Sequence, residues 1–235
     1  MTLPLEQRFT EELSVLEELF SETKVRKSLP RLNEIYSCTE ERWQEYAEQL
    51  PGGQVNYLLI AEAPPWRHSG SPQYVLDPAS RPRTLMRALR KALSLSEQHD
   101  GGWAMKQFAQ RGLLIVDSIP FAMNYSAKRS SVKYDRLVQL TAQSLLQEKL
   151  ESTSLSWSRC LRIAFSVQLN AKAVMRGLRH GLSLGGRQFT LSPEMIAVNG
   201  AGYPDADKLR KVWGMWSFAI HWRPQLTCPP KTVPV

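Results

Sequence analysis

Two apolar runs punctuate the hydrophobic and polar pattern of the chain, and each is closed by a carboxylate and a proline. Tyr57-Leu58-Leu59-Ile60-Ala61 leads into Glu62, Ala63, Pro64 and Pro65, while Leu113-Leu114-Ile115-Val116 leads into Asp117, Ser118, Ile119 and Pro120. Runs of bulky residues this short suit strands covered on both faces, and the prolines forbid continuation of a ladder. Each acid is therefore expected just outside the carboxyl end of a strand, where open α/β sheets keep their ligands. A third strand is predicted over 161–165. A fourth is predicted over 195–198, ending in Asn199-Gly200-Ala201-Gly202-Tyr203-Pro204, whose glycines would let backbone approach a ligand.

Between these runs the pattern turns helical. Phe9, Leu13, Leu16 and Phe20 recur at helical spacing over 5–20, and a second helix is predicted over 39–50 after a polar stretch containing Lys24 and Pro30. Pro51-Gly52-Gly53 then breaks the chain before the first strand. A loop rich in Ser, Gly and Pro follows Trp66 and carries His68 and Tyr74. Helices are predicted over 84–95, 134–150 and 171–178, and a last one around Leu209, Val212, Trp213 and Trp216. The cations Arg83, Arg87, Arg90 and Lys91 on or beside 84–95 face either phosphate or water, and water is the expectation.

Strands alternating with helices predict an α/β protein: a three-layer α/β/α domain with a central, four-stranded, mainly parallel sheet. The expected division is an N-terminal helical segment (1–53) packed on a core (54–222), with a proline-rich tail (223–235). At 235 residues and 43% hydrophobic content the chain buries a core without staples. Its net charge of +8 favours a polyanionic partner. Cys38, Cys160 and Cys228 lie far apart with no C-x-x-C pair, which supports neither zinc nor an iron–sulfur cluster and makes reduced thiols the expectation. The acidic, helical N-terminus and the absence of a long apolar run predict a cytoplasmic protein without a membrane partner, and a monomer. No metal or cofactor is called for.

Leu-Leu-Ile-Ala-Glu-Ala-Pro-Pro resembles the Gly-Glu-Ala-Pro-Gly signature of one branch of the uracil-DNA glycosylase superfamily, and the later pieces follow in the same order over roughly 57–213. In that superfamily a second strand ends in a base-reading asparagine, a later strand leads into a small-residue helix start, and the last strand delivers a His-Pro-Ser type loop to DNA. The matching positions here are Asp117, residues 166–171, and residues 199–204. The resemblance implies a glycosylase that flips a nucleotide out of DNA, duplex or single-stranded, and hydrolyses its N-glycosidic bond. Glu62 would stabilise the sugar cation and orient water. Asn199 would assist as a hydrogen-bond donor in place of the family's histidine. Asp117 would read the base, with Tyr74, Trp66 and Ala63 forming its walls. Lys128, Arg129, Gly200, Gly202, Tyr203, Lys208, Arg210 and Lys211 would meet the DNA.

The departures from the family pattern carry chemistry. Ala61 and Pro65 replace glycines, and three cysteines cannot hold a four-cysteine cluster. An ionised Asp117 only accepts hydrogen bonds, so it disfavours uracil O4 and favours a base with an exocyclic amine. A modified cytosine, in foreign or phage DNA as much as in repair, is the substrate this implies. Blander readings stand beside it: Glu62 as a surface residue of a turn, Asp117 as the cap of its own turn, and the aromatics as core. So do ordinary uracil repair, a binding protein of the same fold with weak turnover, and, last, a phosphoester hydrolase holding a metal on Glu62 and Asp117.

Overall fold

The two apolar runs lie side by side. In the computed structural model, which describes residues 3–72, 74–77, 84–151, 155–199 and 204–215, β1 (Gln54–Ala61) pairs in parallel with β2 (Leu113–Asp117) on one side. On its other side it pairs in parallel with β3 (Ser156–Phe165), giving the order β2-β1-β3. Leu58, Leu59 and Ile60 on β1 and Leu113, Leu114, Ile115 and Val116 on β2 are all completely buried. Because successive side chains point to opposite faces, an unbroken buried run means that both faces of the sheet are covered.

Among the described residues the sheet has three paired strands and not the four expected. The segment predicted as a fourth strand makes a single parallel bridge, Phe165 to Ile196, with the Ala197 amide donating to the Phe165 carbonyl at 3.0 Å. Pro193 opens a 3₁₀ turn that runs to Met195, so too few residues remain extended for a ladder. The expected glycine-rich loop residues Gly200, Gly202 and Tyr203, and the tail 223–235, lie outside the described residues.

The N-terminal helices are α1 (Leu5–Arg8), α2 (Thr10–Phe20) and α3 (Glu22–Ala47). The single helix expected over 5–20 is interrupted at Phe9, which is fully buried with a non-helical backbone. Conversely, α3 runs straight through Pro30, where a break was expected. Its buried stripe of Val25, Leu32, Ile35, Tyr36, Trp43 and Tyr46 outweighs the one hydrogen bond a proline removes. Trp43 and Tyr46 also close the sheet edge: the Trp43 indole donates to the Ile115 carbonyl at 2.9 Å and the Tyr46 hydroxyl to the Leu113 carbonyl at 2.6 Å. Those carbonyls point away from β1 and would otherwise be orphaned. Tyr46→Phe is therefore expected to cost about 1–3 kcal/mol, seen as a lower urea midpoint with an unchanged slope.

Between β1 and β2 come α4 (Thr84–Ala92) and α5 (Gly101–Gln110); α5 was not expected, and it starts on Asp100, whose carboxylate accepts from the Trp103 amide at 2.7 Å. After β2, α6 (Val132–Thr141) continues through a π-helical turn, Ala142–Gln147, into α7 (Glu148–Glu151). After β3 come α8 (Gln168–Gly177) and a hairpin of β4 (Gly181–Leu184) and β5 (Arg187–Thr190). Its two-residue turn places Gly185 and Gly186 at φ of 55° and 74°, the left-handed pair a tight hairpin requires. The chain then reaches α9 (Ala206–Val212). Helices α2, α6 and α8 pack as one group and α4 and α9 as another, with α9 also meeting β3. Cys160 is disulfide-bonded and Cys38 is free, which corrects the expectation of three reduced thiols. No helix among the described residues is long and apolar enough to cross a membrane.

Candidate functional site

Parallel pairing brings the ends of all three strands to one rim, and the loops there are laced together by backbone. The Ser118 amide donates to the Ala61 carbonyl at 3.0 Å, Ile119 to Glu62 at 2.9 Å, and Ser166 to Ile60 at 3.0 Å. A cavity of about 550 Å³ opens over this rim. Its lining includes both strand-terminal acids, Glu62 and Asp117, with Ala63, Pro64, Pro65, Trp66 and Tyr74 from the first loop. The start of α4 contributes Leu85 and Met86, and the loop after β2 contributes Met123, Asn124, Tyr125 and Arg129. The volume and the mostly apolar walls with a few convergent polar groups are those of a small-ligand pocket.

Glu62 is not a bare carboxylate. Arg129 grips it with two bonds, Nε to Oε1 at 2.7 Å and Nη2 to Oε2 at 2.5 Å, and the Tyr134 hydroxyl donates to Oε1 at 2.6 Å. Its side chain is 13% exposed and that of Arg129 31%. Burial, and then the Glu62 charge, push the Tyr134 hydroxyl far above the usual range, so it stays a donor. Behind it Asn170, fully buried at the start of α8, hydrogen-bonds the Tyr134 hydroxyl and donates from Nδ2 to Ser118 Oγ at 2.9 Å. Ser118 in turn reaches the Glu62 backbone carbonyl at 3.2 Å. A carboxylate offers about four lone-pair sites; three are taken, and one on Oε2 remains.

Asp117 is tuned differently. Burial pushes its carboxyl up to about 7, while the Lys149 ammonium and a hydrogen bond from the Tyr74 hydroxyl pull it down and Glu40 and Glu62 push it further up. Lys149, on α7, is itself buried, 2.6 Å from Glu40 Oε1 and 4.2 Å from the centroid of the Trp43 ring. A neutral carboxyl both donates and accepts hydrogen bonds, whereas an ionised one only accepts.

The other expected site residues fall into two sets. Tyr74 and Trp66 line the cavity, but the Tyr74 hydroxyl is committed to Asp117, and the Trp66 indole donates to His68 Nε2 at 3.2 Å. Arg31 of α3 fixes this loop by donating to the Arg67 and Gly70 carbonyls at 3.0 and 2.6 Å. Asn199 is exposed and does not line the cavity. Arg129, expected at phosphate, serves Glu62. Arg210 ties α9 to the Ala92 and Lys91 carbonyls of α4 and pairs with Asp207. Lys208 donates to the Val198 carbonyl at 2.5 Å, Lys211 is exposed, and Lys128 is half-buried with its ammonium 6.0 Å from the centroid of the Phe20 ring.

Sequence reasoning did not single out Tyr134, Asn170, Ser118, Lys149 or Arg31. Ser118 directly follows a strand-terminal acid and Asn170 sits in the small-residue helix start, which were the available signals. Among the described residues no three His, Cys, Asp or Glu side chains converge as a metal site requires.

No protein-family model matches the chain, nor does any curated protein or solved structure. The architecture is that of a mixed α/β protein with a parallel sheet and a cavity at the carboxyl ends of its strands.

Proposed function

We propose that the cavity receives one pyrimidine nucleotide turned out of a DNA strand and that the protein hydrolyses its N-glycosidic bond, acting on a cytosine-type base in preference to plain uracil. On this reading the sheet is the centre of a three-layer α/β/α domain of the glycosylase kind. The observation that carries it is the pairing, in one cavity, of a clamped carboxylate with a second carboxyl poised at about 7. Neutral Asp117 has one donor and one acceptor and meets the N3 and N4 edge of cytosine. Passing its proton to N3 makes the base a neutral leaving group when the C1′–N1 bond breaks and the electron pair goes to the base. Water then bonds to C1′ and gives its proton to the remaining lone pair on Glu62 Oε2, whose charge also stabilises the sugar cation.

The test is a panel of DNAs differing in one base, incubated with the protein and probed for alkali-labile abasic sites. Release of a cytosine-derived base is the expected outcome; release of uracil alone would return the protein to ordinary repair. A second reading, a binding protein with weak turnover, is favoured by the Arg129 clamp, which already neutralises much of the Glu62 charge. Binding of DNA with no abasic product from any member of the panel would decide for it.

A further inference from the structure

The cations around the cavity are not equivalent. On the side of residues 124–131, Arg129 is held by Glu62 and Lys128 is half-buried over Phe20. On the other side two helices leave the rim together: Thr84, Leu85 and Met86 of α4 line the cavity, as does Pro204, two residues before α9. Thr84, Arg87 and Lys91 are the exposed positions of α4, at helical spacing, and Lys208 and Lys211 are exposed one turn apart on α9. The two helices pack on each other, locked by Arg210. Arg87, Lys91, Lys208 and Lys211 form no ion pair with a described residue, and the acids of this face are occupied, Asp207 by Arg210 and Asp205 by the α9 amides. The Lys208 ammonium spends one of three donors on Val198 and keeps two.

Two rows of uncompensated charge thus begin at the cavity mouth. At 1.5 Å rise per residue, Arg87 and Lys91 stand about 6 Å apart along their helix, each able to meet its own phosphate. We infer that the α4–α9 face, and not the loop at 124–131, is the docking surface for the nucleic-acid backbone on either side of the nucleotide in the cavity. This rests on the cavity being a nucleotide pocket. A membrane surface fits the face poorly, because a helix lying in lipid buries large apolar side chains. Among the described residues the exposed large hydrophobics, Leu3, Val132 and Leu169, are on neither helix.

The experiment is a salt titration of binding, by fluorescence anisotropy, with labelled duplex and single-stranded DNA of ordinary bases. The proteins are the full chain, the pairs Arg87→Gln with Lys91→Gln and Lys208→Gln with Lys211→Gln, and Lys128→Gln. Each pair is expected to weaken binding about tenfold or more near 0.1 M salt and to flatten the plot of log affinity against log salt by about two units, and Lys128→Gln to do clearly less. Unchanged binding in both pairs, or an equal loss in Lys128→Gln, overturns the inference. So does binding to anionic lipid vesicles in place of DNA. Base release assayed on the same proteins separates the two claims: salt-dependent binding lost in the pairs without release of any base sinks the glycosylase reading and leaves the docking face. Release with binding intact in the pairs sinks the docking face alone.

Discussion

Glu62→Gln is expected to slow single-turnover base release by about three orders of magnitude while DNA affinity stays within about twofold, the behaviour of a group whose charge matters only in the transition state. The amide keeps the shape of the carboxylate but loses the charge opposite the sugar and the site that takes the proton from water. It also presents a donor where Arg129 and Tyr134 already donate, so one of the three bonds now made to Glu62 must break. A stability loss of about 1–3 kcal/mol follows from leaving a buried donor unmet, and a thermal melt run beside the rate measurement reads it. Stability loss with full single-turnover activity would make Glu62 a piece of scaffold that anchors Arg129. Loss of both rate and DNA binding would place it in recognition.

β1 and β2 were legible because an unbroken apolar run ending in an acid and a proline has few other interpretations, and the two acids at their ends are the two that face the cavity. The first half of β3 was not, since Ser156 and Arg159 are exposed three residues apart, which is not the two-residue period of a strand. Helix α5 was hidden by its opening Gly101-Gly102, and its one start signal, Asp100, lies in a polar stretch that reads as loop. At the site, residue types were legible but partners were not. Arg129 reads as a phosphate cation until the fold sets it 67 residues back along the chain onto Glu62, and Lys149 meets Glu40 across 109 residues. Such pairings depend on tertiary closure, which local pattern does not encode. Asp117 was readable as an acid at a strand end, but not as one held near neutrality, because burial raises it and the groups that act on it, Lys149, Tyr74, Glu40 and Glu62, come from four separate stretches of chain.

That last property sets the remaining expectation. Because burial raises the folded Asp117 carboxyl to about 7, against about 3.9 in an unfolded chain, the native state holds the proton more tightly and its ionisation works against folding. The stability cost is absent below the unfolded value, grows as pH rises between the two values, and is complete above the folded one. Asp117→Asn abolishes it, so the variant is expected to gain stability over wild type on going from pH 5 to pH 8, by on the order of 2–4 kcal/mol, measured as the difference in melting between the two proteins at each pH. The same proton governs activity. Release of a cytosine-type base by wild type should fall as pH climbs through about 7, since the carboxyl must arrive protonated to pass its proton to N3. The apparent value in the complex belongs to the Asp117 and N3 pair together. Asparagine satisfies the hydrogen bonds of either pyrimidine edge but has no proton to give, so the variant should lose about a hundredfold or more in cytosine-type release while uracil release persists and is flat between pH 6 and 8. If the variant releases the cytosine-type base as fast as wild type, with both profiles level across neutrality, Asp117 delivers no proton to the base, and its raised pKa is only the mark of a buried acid bonded to Tyr74.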